Sequence, residues 1–483
     1  MSGIGGWARA TPDAAALITG PGHVMTFAEL DRRQRALAGL LNGSGLDSGD
    51  RIAILAANRS EIVEVATGVL RAGIVPVPLN ALLTTTEIGY LLEDSGARWL
   101  FTDRPVEPGP GLERVVTFGD AYERCLAEAG PMPIADLTLT RPMHYTSGTT
   151  GLPKGVYVEP QTPDVAADIS DAFRRLWSIE PNDVHLVCSP LAHSAPLRFS
   201  TRTLEAGGAV ALQPKFEPEN TLAAIELFGV TSTFMVPTHL ERILALGRPV
   251  LGRYDLSTMR LLAHAGAPIR ENTKRSVIDL FPDGSVWEFY GSTEGQATRI
   301  STGEWLTKPG SVGQALPGCK VYVMSEDFEP LPPGEIGQVW VLAPPTERFV
   351  YWGDQAKTEA CSRDGAFTVG DLGYLDADGY LYLSGRKDDT IITGGVNVYP
   401  QEVESVLCTH PAVAEAVVYG APSAEWGQDV RARIVPAGET IDPTELKKWA
   451  RERLAGYKTP RIIEVVAELP RTPTGKLMRP RAE

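Results

Sequence analysis

Between residues 51 and 77 the chain spells out one folding unit, and that unit limits the possible folds more than any other segment. Arg51–Ala56 (RIAILA) is a short apolar run of the kind that fills a buried strand. Ser60 follows as a helix cap with Glu61 in the first turn, and Ile62, Ala66, Val69 and Leu70 share one face. Gly73 stops the helix, and Ile74–Val77 starts a second strand. Strand, helix and strand in this order make a βαβ crossover, the signature of a parallel sheet covered by helices. The order recurs as a helix over Thr221–Phe228 and a strand over Thr231–Val236. The expected fold class is α/β, with a large N-terminal domain of helix-covered sheets.

The end of the chain has another rhythm. Ala412–Tyr419 and Val430–Val435 read as strands. Asp442 caps a helix with Pro443 at its first position and Glu445 placed for a capping box. Leu446, Trp449 and Ala450 form its apolar face, Gly456 closes it, and Arg461–Leu469 is a further strand. This is a small α+β unit. Between the two parts lies SGRKDDTIITGG, polar and Gly-rich, which suits a surface loop or a hinge.

A length of 483 residues is too great for one simple core. The net charge of -15 argues against nucleic acid or an anionic membrane surface as main partner, though not against anionic substrates held at a local cationic site. Five cysteines are scattered with no C-x-x-C pair, so neither a disulfide framework nor a structural zinc site is expected, and a reducing cytoplasm fits. The first residues, MSGIGGWARATPDAA, lack the apolar core of a secretory signal. No apolar run reaches the roughly 18 residues needed for a membrane span.

The chemistry starts at Tyr145–Val156, YTSGTTGLPKGV. Its glycines let backbone approach a ligand closely, its hydroxyls and amides can ring an anion, and Lys154 adds a positive charge. A Walker A loop places Ser or Thr after its lysine; here Gly155 follows, so this is a different kind of phosphate loop. A plain Gly/Ser/Thr linker is the alternative. Four further strings follow in order: EFYGSTEG (residues 288–295), TVGDLGYLDADGYLYLSGRKDD (368–389), GGVNVYPQEVE (394–404) and PRTPTGKLMR (470–479).

Together these five strings, spread over almost the whole chain, resemble the adenylate-forming superfamily of acyl- and aryl-CoA synthetases, luciferases and peptide-synthetase adenylation domains. The closest likeness is to a bacterial fatty-acyl- or aryl-CoA ligase. The resemblance implies ATP, Mg²⁺ and coenzyme A as cofactors. It implies an acid–thiol ligase that converts a carboxylic acid to its acyl-adenylate with release of pyrophosphate, then transfers the acyl group to coenzyme A and frees AMP. Residue by residue, Thr146, Ser147, Gly148, Thr149, Thr150, Gly151 and Lys154 match the segment that holds the β- and γ-phosphates. Tyr290, followed by Gly291, matches the aromatic that stacks on adenine, Thr293 the hydroxyl at the α-phosphate, and Glu294 the Mg²⁺ carboxylate. Asp371 matches the ribose carboxylate and Arg386 the ribose- and phosphate-binding arginine. Lys476 matches the lysine that reaches the α-phosphate and the carboxylate.

The same likeness divides the chain into an adenylation domain over 1–386, a hinge at 387–389 centred on Asp388, and a mobile C-terminal domain over 390–483. Gly394 and Gly395 match the loop lining the pantetheine tunnel. Without the likeness, Asp371, Asp388 and Lys476 would read as a turn former, a loop charge and a solvated lysine. The chemistry suits these residue types. Two anions must meet, cations and Mg²⁺ offset the growing charge, and the acid itself is the nucleophile. No G-x-S-x-G elbow is present, in keeping with that.

His193, in SPLAHSAP, resembles a residue that gates the acyl pocket; a structural histidine at a strand end is the other reading. Val236, His264, Gly266 and Gly291 are the remaining pocket candidates, within the mostly small or apolar stretches 235–237 and 264–268. Leu191–Arg198 carries no carboxylate to pair with an amino-acid ammonium, so a hydrophobic acid, with room for a bulky one, is expected. His264 and Arg198 depart from that pattern, and either could meet a second carboxylate or a ketone on the acid.

Three other functions stay open. A stand-alone adenylating enzyme would load the phosphopantetheine of a separate carrier protein, since no carrier domain follows Glu483; the acidic net charge disfavours docking on an acidic carrier. A silent relative would act as a binding module, against which stands the presence of Lys154, Glu294, Asp371, Arg386 and Lys476. A luciferase-like oxygenase is the remotest. A homodimer is left open.

Overall fold

The structure is a computed structural model that describes residues 3–107, 109, 111–146, 152–423, 425–438, 441–471 and 477–480. The chain forms two compact units. One comprises Met1–Leu306 and Ala343–Gly365, the other Thr307–Leu342 and Ala366–Glu483. The larger, N-terminal unit is α/β and the smaller is α+β, as expected.

In the larger unit the main sheet runs Gln296–Ser301, Val286–Gly291, Leu261–His264, Ser232–Met235, Val184–Val187, Ala209–Leu212, Ala15–Gly20, His23–Thr26. The strands from Val286–Gly291 to Ala15–Gly20 are parallel, and an antiparallel partner flanks them on each side. The central strands Val184–Val187, Ala209–Leu212 and Leu261–His264 are buried on nearly every side chain, which is why they are mostly apolar. A second, all-parallel sheet holds the βαβ unit in the order Val75–Leu79, Arg51–Leu55, Trp99–Thr102, Arg114–Thr117. Val75–Leu79 (VPVPL) lies at its edge, where Pro76 and Pro78 do not interrupt a central ladder. A third, small sheet sets Val350–Tyr351 and His144–Thr146 on either side of Lys154–Tyr157.

The smaller unit contains Lys320–Met324, Gly337–Leu342, Asp371–Leu375 and Leu381–Arg386 in one antiparallel sheet. Its second sheet pairs Ile391–Thr393, Val396–Val398, Gly427–Pro436 and Val413–Ser423, with Ile462–Val465 added in parallel. Leu407, Val418, Ile434, Leu446 and Ala450 form a core under the helices Pro400–Leu407 and Pro443–Arg451.

Several local expectations need correction. The helix after the first strand spans Ser60–Arg71, so Arg59 is its cap residue, and the Ser60 hydroxyl donates to Glu61 rather than closing the helix end. Asp442 does cap Pro443–Arg451, accepting from the Thr444 amide at 2.8 Å, but Glu445 completes no capping box. That helix ends at Glu452 in a right-handed conformation, so Gly456 is not its terminator. The remaining strands differ from the expected ranges by a few residues at their ends, where chain reversal competes with pairing.

Candidate active site

The Gly-rich segment joins two strands of the small sheet. His144–Thr146 and Lys154–Tyr157 pair antiparallel with Thr146 opposite Lys154. The expected phosphate-loop residues Ser147, Gly148, Thr149, Thr150 and Gly151 lie outside the described residues. Lys154 directs its Nζ to Asp354 Oδ2 at 3.6 Å, and Asp354 also caps the helix Gln355–Ala360. Asp354 had no signal in the sequence, because only the pairing of Val350–Tyr351 with Lys154–Tyr157 carries it there.

Tyr290 and Gly291 end the strand Val286–Gly291, which turns back into Gln296–Ser301; the Ser292 amide donates to Gly295 O at 2.8 Å across that turn. A Cβ on Gly291 would lie 2.7 Å from Gly295 O, so only glycine fits this reversal. The turn presents Thr293 and Glu294 side by side. Glu294 is 4% exposed and accepts a hydrogen bond from Tyr351 Oη at 2.8 Å. Among the described residues no cationic side chain lies within 4 Å of it. A buried carboxylate with one phenol donor and no counter-charge suits a divalent cation. No cluster of three acidic, His or Cys side chains exists among the described residues, so phosphate oxygens and water would complete the coordination. Tyr351 is a second residue missed from sequence.

Asp371 and Arg386 stand opposite each other on neighbouring strands of the smaller unit, with Arg386 Nε 3.1 Å from Asp371 Oδ1. Asp388 lies in the 3₁₀ turn Lys387–Asp389 within that unit. Gly394 and Gly395 form the tip of a hairpin with φ of 57° and 78°. The Trp426 ring faces Gly394 so closely that a Cβ would sit 3.0 Å from its Cε3. Lys476 lies outside the described residues.

Of the acyl-pocket candidates, His193 is the N-cap residue of the helix Ser194–Ala206. Val236 packs on an aromatic cluster of Phe173, Trp177, Phe199, Phe234 and Phe289, and a Cβ on Gly266 would be 3.6 Å from Val236 Cγ1. His264 has no exposed surface. Its Nε2 lies 3.9 Å from Glu288 Oε2, which also takes the ammonium of buried Lys274. Burial, then the charge of Lys274, holds the His264 pKa well below its ordinary value, so it is neutral. Burial pushes Glu288 up and Lys274 down, and their attraction opposes both shifts.

Beside Thr293 a cavity of about 40 Å³ opens, lined among others by Arg141, His144, Ser194, Arg198 and Arg202. Ser194, Arg198 and Arg202 recur at four-residue spacing, which puts them on one face of Ser194–Ala206. Arg141 was not foreseen; nothing in TRPMHYTSG tells an exposed arginine from a half-buried one.

Comparison with known proteins shows the family. Residues 6–348 match the sequence profile of the AMP-binding enzyme, and residues 402–476 that of the AMP-binding enzyme C-terminal domain. The chain is 34% identical over 478 residues to a fatty acid–[acyl-carrier-protein] ligase, ScoC, of Streptomyces coeruleorubidus, covering 95% of this chain and 91% of that one. It is 36% identical over 502 residues to feruloyl-CoA synthase of an Amycolatopsis species, covering 99% and 98%. The o-succinylbenzoate CoA synthetase of Bacillus subtilis, solved with its acyl-adenylate intermediate, superposes with a TM-score of 0.86 at 32% identity, covering 99% and 97%. The chain belongs to the AMP-binding, adenylate-forming enzymes, a family of acid–thiol ligases.

Proposed function

We propose that this protein activates a carboxylic acid with ATP and passes the acyl group to coenzyme A. The observation that carries the proposal is the turn at 291–295, where Thr293 and Glu294 are presented together and Tyr351 holds Glu294 in one orientation. In the first step an oxygen of the acid attacks the α-phosphorus, and the bond to the β-phosphate oxygen breaks to release pyrophosphate. Thr293 is assigned to the α-phosphate, and Thr146 with Lys154 and the loop between them to the β- and γ-phosphates. Bound Mg²⁺ would be held by Glu294 and would offset the charge that builds on the phosphates. For Lys154 to serve, it exchanges Asp354 for a phosphate oxygen; the pair is solvent-accessible and loosely spaced, so the exchange costs little. Tyr290 is assigned to the adenine, Asp371 and Arg386 to the ribose, and Lys476 to the α-phosphate and the carboxylate. In the second step a thiolate attacks the acyl carbon and AMP leaves, with Gly394 and Gly395 lining the path of the pantetheine arm and Asp388 as the pivot between steps.

The acid is aromatic, alicyclic or medium-chain on this reading. The aromatic cluster beside Val236 supports it, as does the absence of a carboxylate in Leu191–Arg198. Two of the relatives named above act on aryl acids by their names. The relative that serves an acyl carrier protein supports a second reading, loading of a carrier protein's phosphopantetheine. We assign the protein to the cytoplasm: its five cysteines are free, and no helix among the described residues is long and apolar enough to cross a membrane. A homodimeric assembly remains a proposal.

The test is ATP–pyrophosphate exchange over a panel of acids, followed by mass spectrometry of products with coenzyme A present. Aromatic and medium-chain acids should outperform acetate and every α-amino acid. An amino acid as best substrate would sink the assignment, and exchange without acyl-CoA would move the carrier-protein reading to first place.

A further inference from the structure

The cavity beside Thr293 carries more positive charge than its surroundings neutralise. Arg202 is matched: its Nη1 lies 2.5 Å from Glu205 Oε2, and Glu205 is itself saturated by the Thr138 amide and hydroxyl and by Ser170. Arg141 and Arg198 are not matched. Neither has a hydrogen bond or an ion pair among the described residues, and the one carboxylate whose field reaches both, Glu347, lies beyond 4 Å. Burial, then the charge of Arg141, pulls the Arg198 pKa down to about 9. His144 adds no charge. Burial lowers its pKa to about 3, and its Nδ1 lies 3.1 Å from Ala192 O, so it is the neutral tautomer with the proton on Nδ1. Three guanidiniums therefore face two carboxylates, and one positive charge is left over. Two partly buried guanidiniums lining a cavity, each without a partner, are costly to folding unless something arrives to take them.

We infer that this cavity receives a second carboxylate of the acid substrate, gripped by Arg141 and Arg198, so that the enzyme selects acids with two anionic groups. The size agrees. A volume of about 40 Å³ has room for a carboxylate with a water. So does the charge, since one unmatched cation asks for a monoanion. Guanidinium forks fit a carboxylate in bidentate fashion, and the N-terminal end of Ser194–Ala206 faces the same space through Ser194. Thr293 places the cavity next to the reacting end of the acid, which is where this inference rests on the adenylation reading.

The experiment measures kcat/KM in ATP–pyrophosphate exchange for glutarate, adipate and terephthalate, each against its monomethyl ester, with the parent, Arg198→Met, Arg141→Met and Arg198→Lys. A site built around a charged partner rejects the analogue lacking it strongly, so each accepted diacid should exceed its ester by about 10²-fold or more. Arg198→Met and Arg141→Met should erase that preference with KM for ATP unchanged, and Arg198→Lys should restore part of it. Both Met variants should melt no lower than the parent, because each relieves repulsion between buried cations, which separates loss of binding from loss of folding. Esters used as well as diacids by the parent would overturn the inference. So would Met variants that raise KM for ATP or pyrophosphate while keeping acid preference, since the anion would then be a phosphate. If no acid supports exchange, the adenylation reading has failed instead, and calorimetry with adipate decides: heat from the parent and none from Arg198→Met sustains the anion site, and no heat from either overturns it.

Discussion

Lys274→Met offers the sharpest test of how the strand carrying Tyr290 is held. Lys274 and Glu288 are an ion pair with side-chain exposures of 1% and 8%, and the ammonium also lies 4.7 Å from the Trp305 ring centroid. Methionine keeps the length of the lysine stem, so the loss is mainly electrostatic. Glu288 would remain buried, with His264 Nε2 3.9 Å from its carboxylate. Removing one partner of a buried pair costs about 3–5 kcal/mol. At about 2 °C per kcal/mol in a cooperative unit of this size, that is a Tm lower by roughly 5–10 °C. The pH dependence has a definite sign. Burial already raises the Glu288 pKa above its ordinary 4.5, and without Lys274 the upward push is greater. A carboxyl raised in the folded state contributes its stability below its unfolded pKa and loses it as pH rises through the folded value. His264, freed from the charge of Lys274, can take a proton and pair with Glu288, which acts in the same direction. The deficit measured by urea unfolding should therefore be largest at pH 8 and clearly smaller at pH 5. The double variant Lys274→Met/Glu288→Met should return to within about 1 kcal/mol of the parent, as apolar replacements of buried pairs often do. A deficit below about 1 kcal/mol at pH 8, one that does not shrink on acidification, or a double variant as weak as the single would refute this account.

Four other outcomes follow from the proposed roles. Tyr351→Phe removes the donor that orients Glu294, so the Mg²⁺ concentration for half-maximal adenylation should rise about 10-fold, with KM for the acid little changed; an unaltered Mg²⁺ titration would count against the assignment. Glu294→Gln should depress adenylation more deeply than Tyr351→Phe, since a hard anionic ligand is lost rather than misaligned; full activity at limiting Mg²⁺ would mean that Glu294 is not the metal ligand. Lys476→Ala should lower adenylation by about 10²–10³-fold and leave thioester formation from supplied acyl-adenylate nearly intact. Asp388→Pro should do the reverse, because proline fixes φ at the proposed pivot; equal losses in both half-reactions for Lys476→Ala would mark that lysine as structural.

The family and the α/β class were legible in the linear chain because both depend on short-range order. Periodicity placed the helix after Arg51–Leu55 and the strands around it, and the strings at 145–156 and 288–295 kept their chemistry within a dozen residues or fewer. Gly291 could be read as part of a site from its neighbours alone, although the 2.7 Å approach that demands glycine is visible only in the folded turn. Helix ends were less legible: Ser60 and Gly456 have the right chemistry to cap, but a cap forms only where the chain reverses, and packing set those points at Arg59 and Glu452. Tertiary structure alone decided which charges find partners. Asp354 reaches Lys154, and Tyr351 reaches Glu294, through pairing of strands far apart in sequence. His264 and Arg198 looked alike in the sequence, two polar intruders near an apolar pocket. Folding closes His264 against the Lys274–Glu288 pair and leaves Arg198 beside Arg141 on an open cavity. Whether a charge is met or left waiting depends on distances across the fold, and no local pattern encodes those.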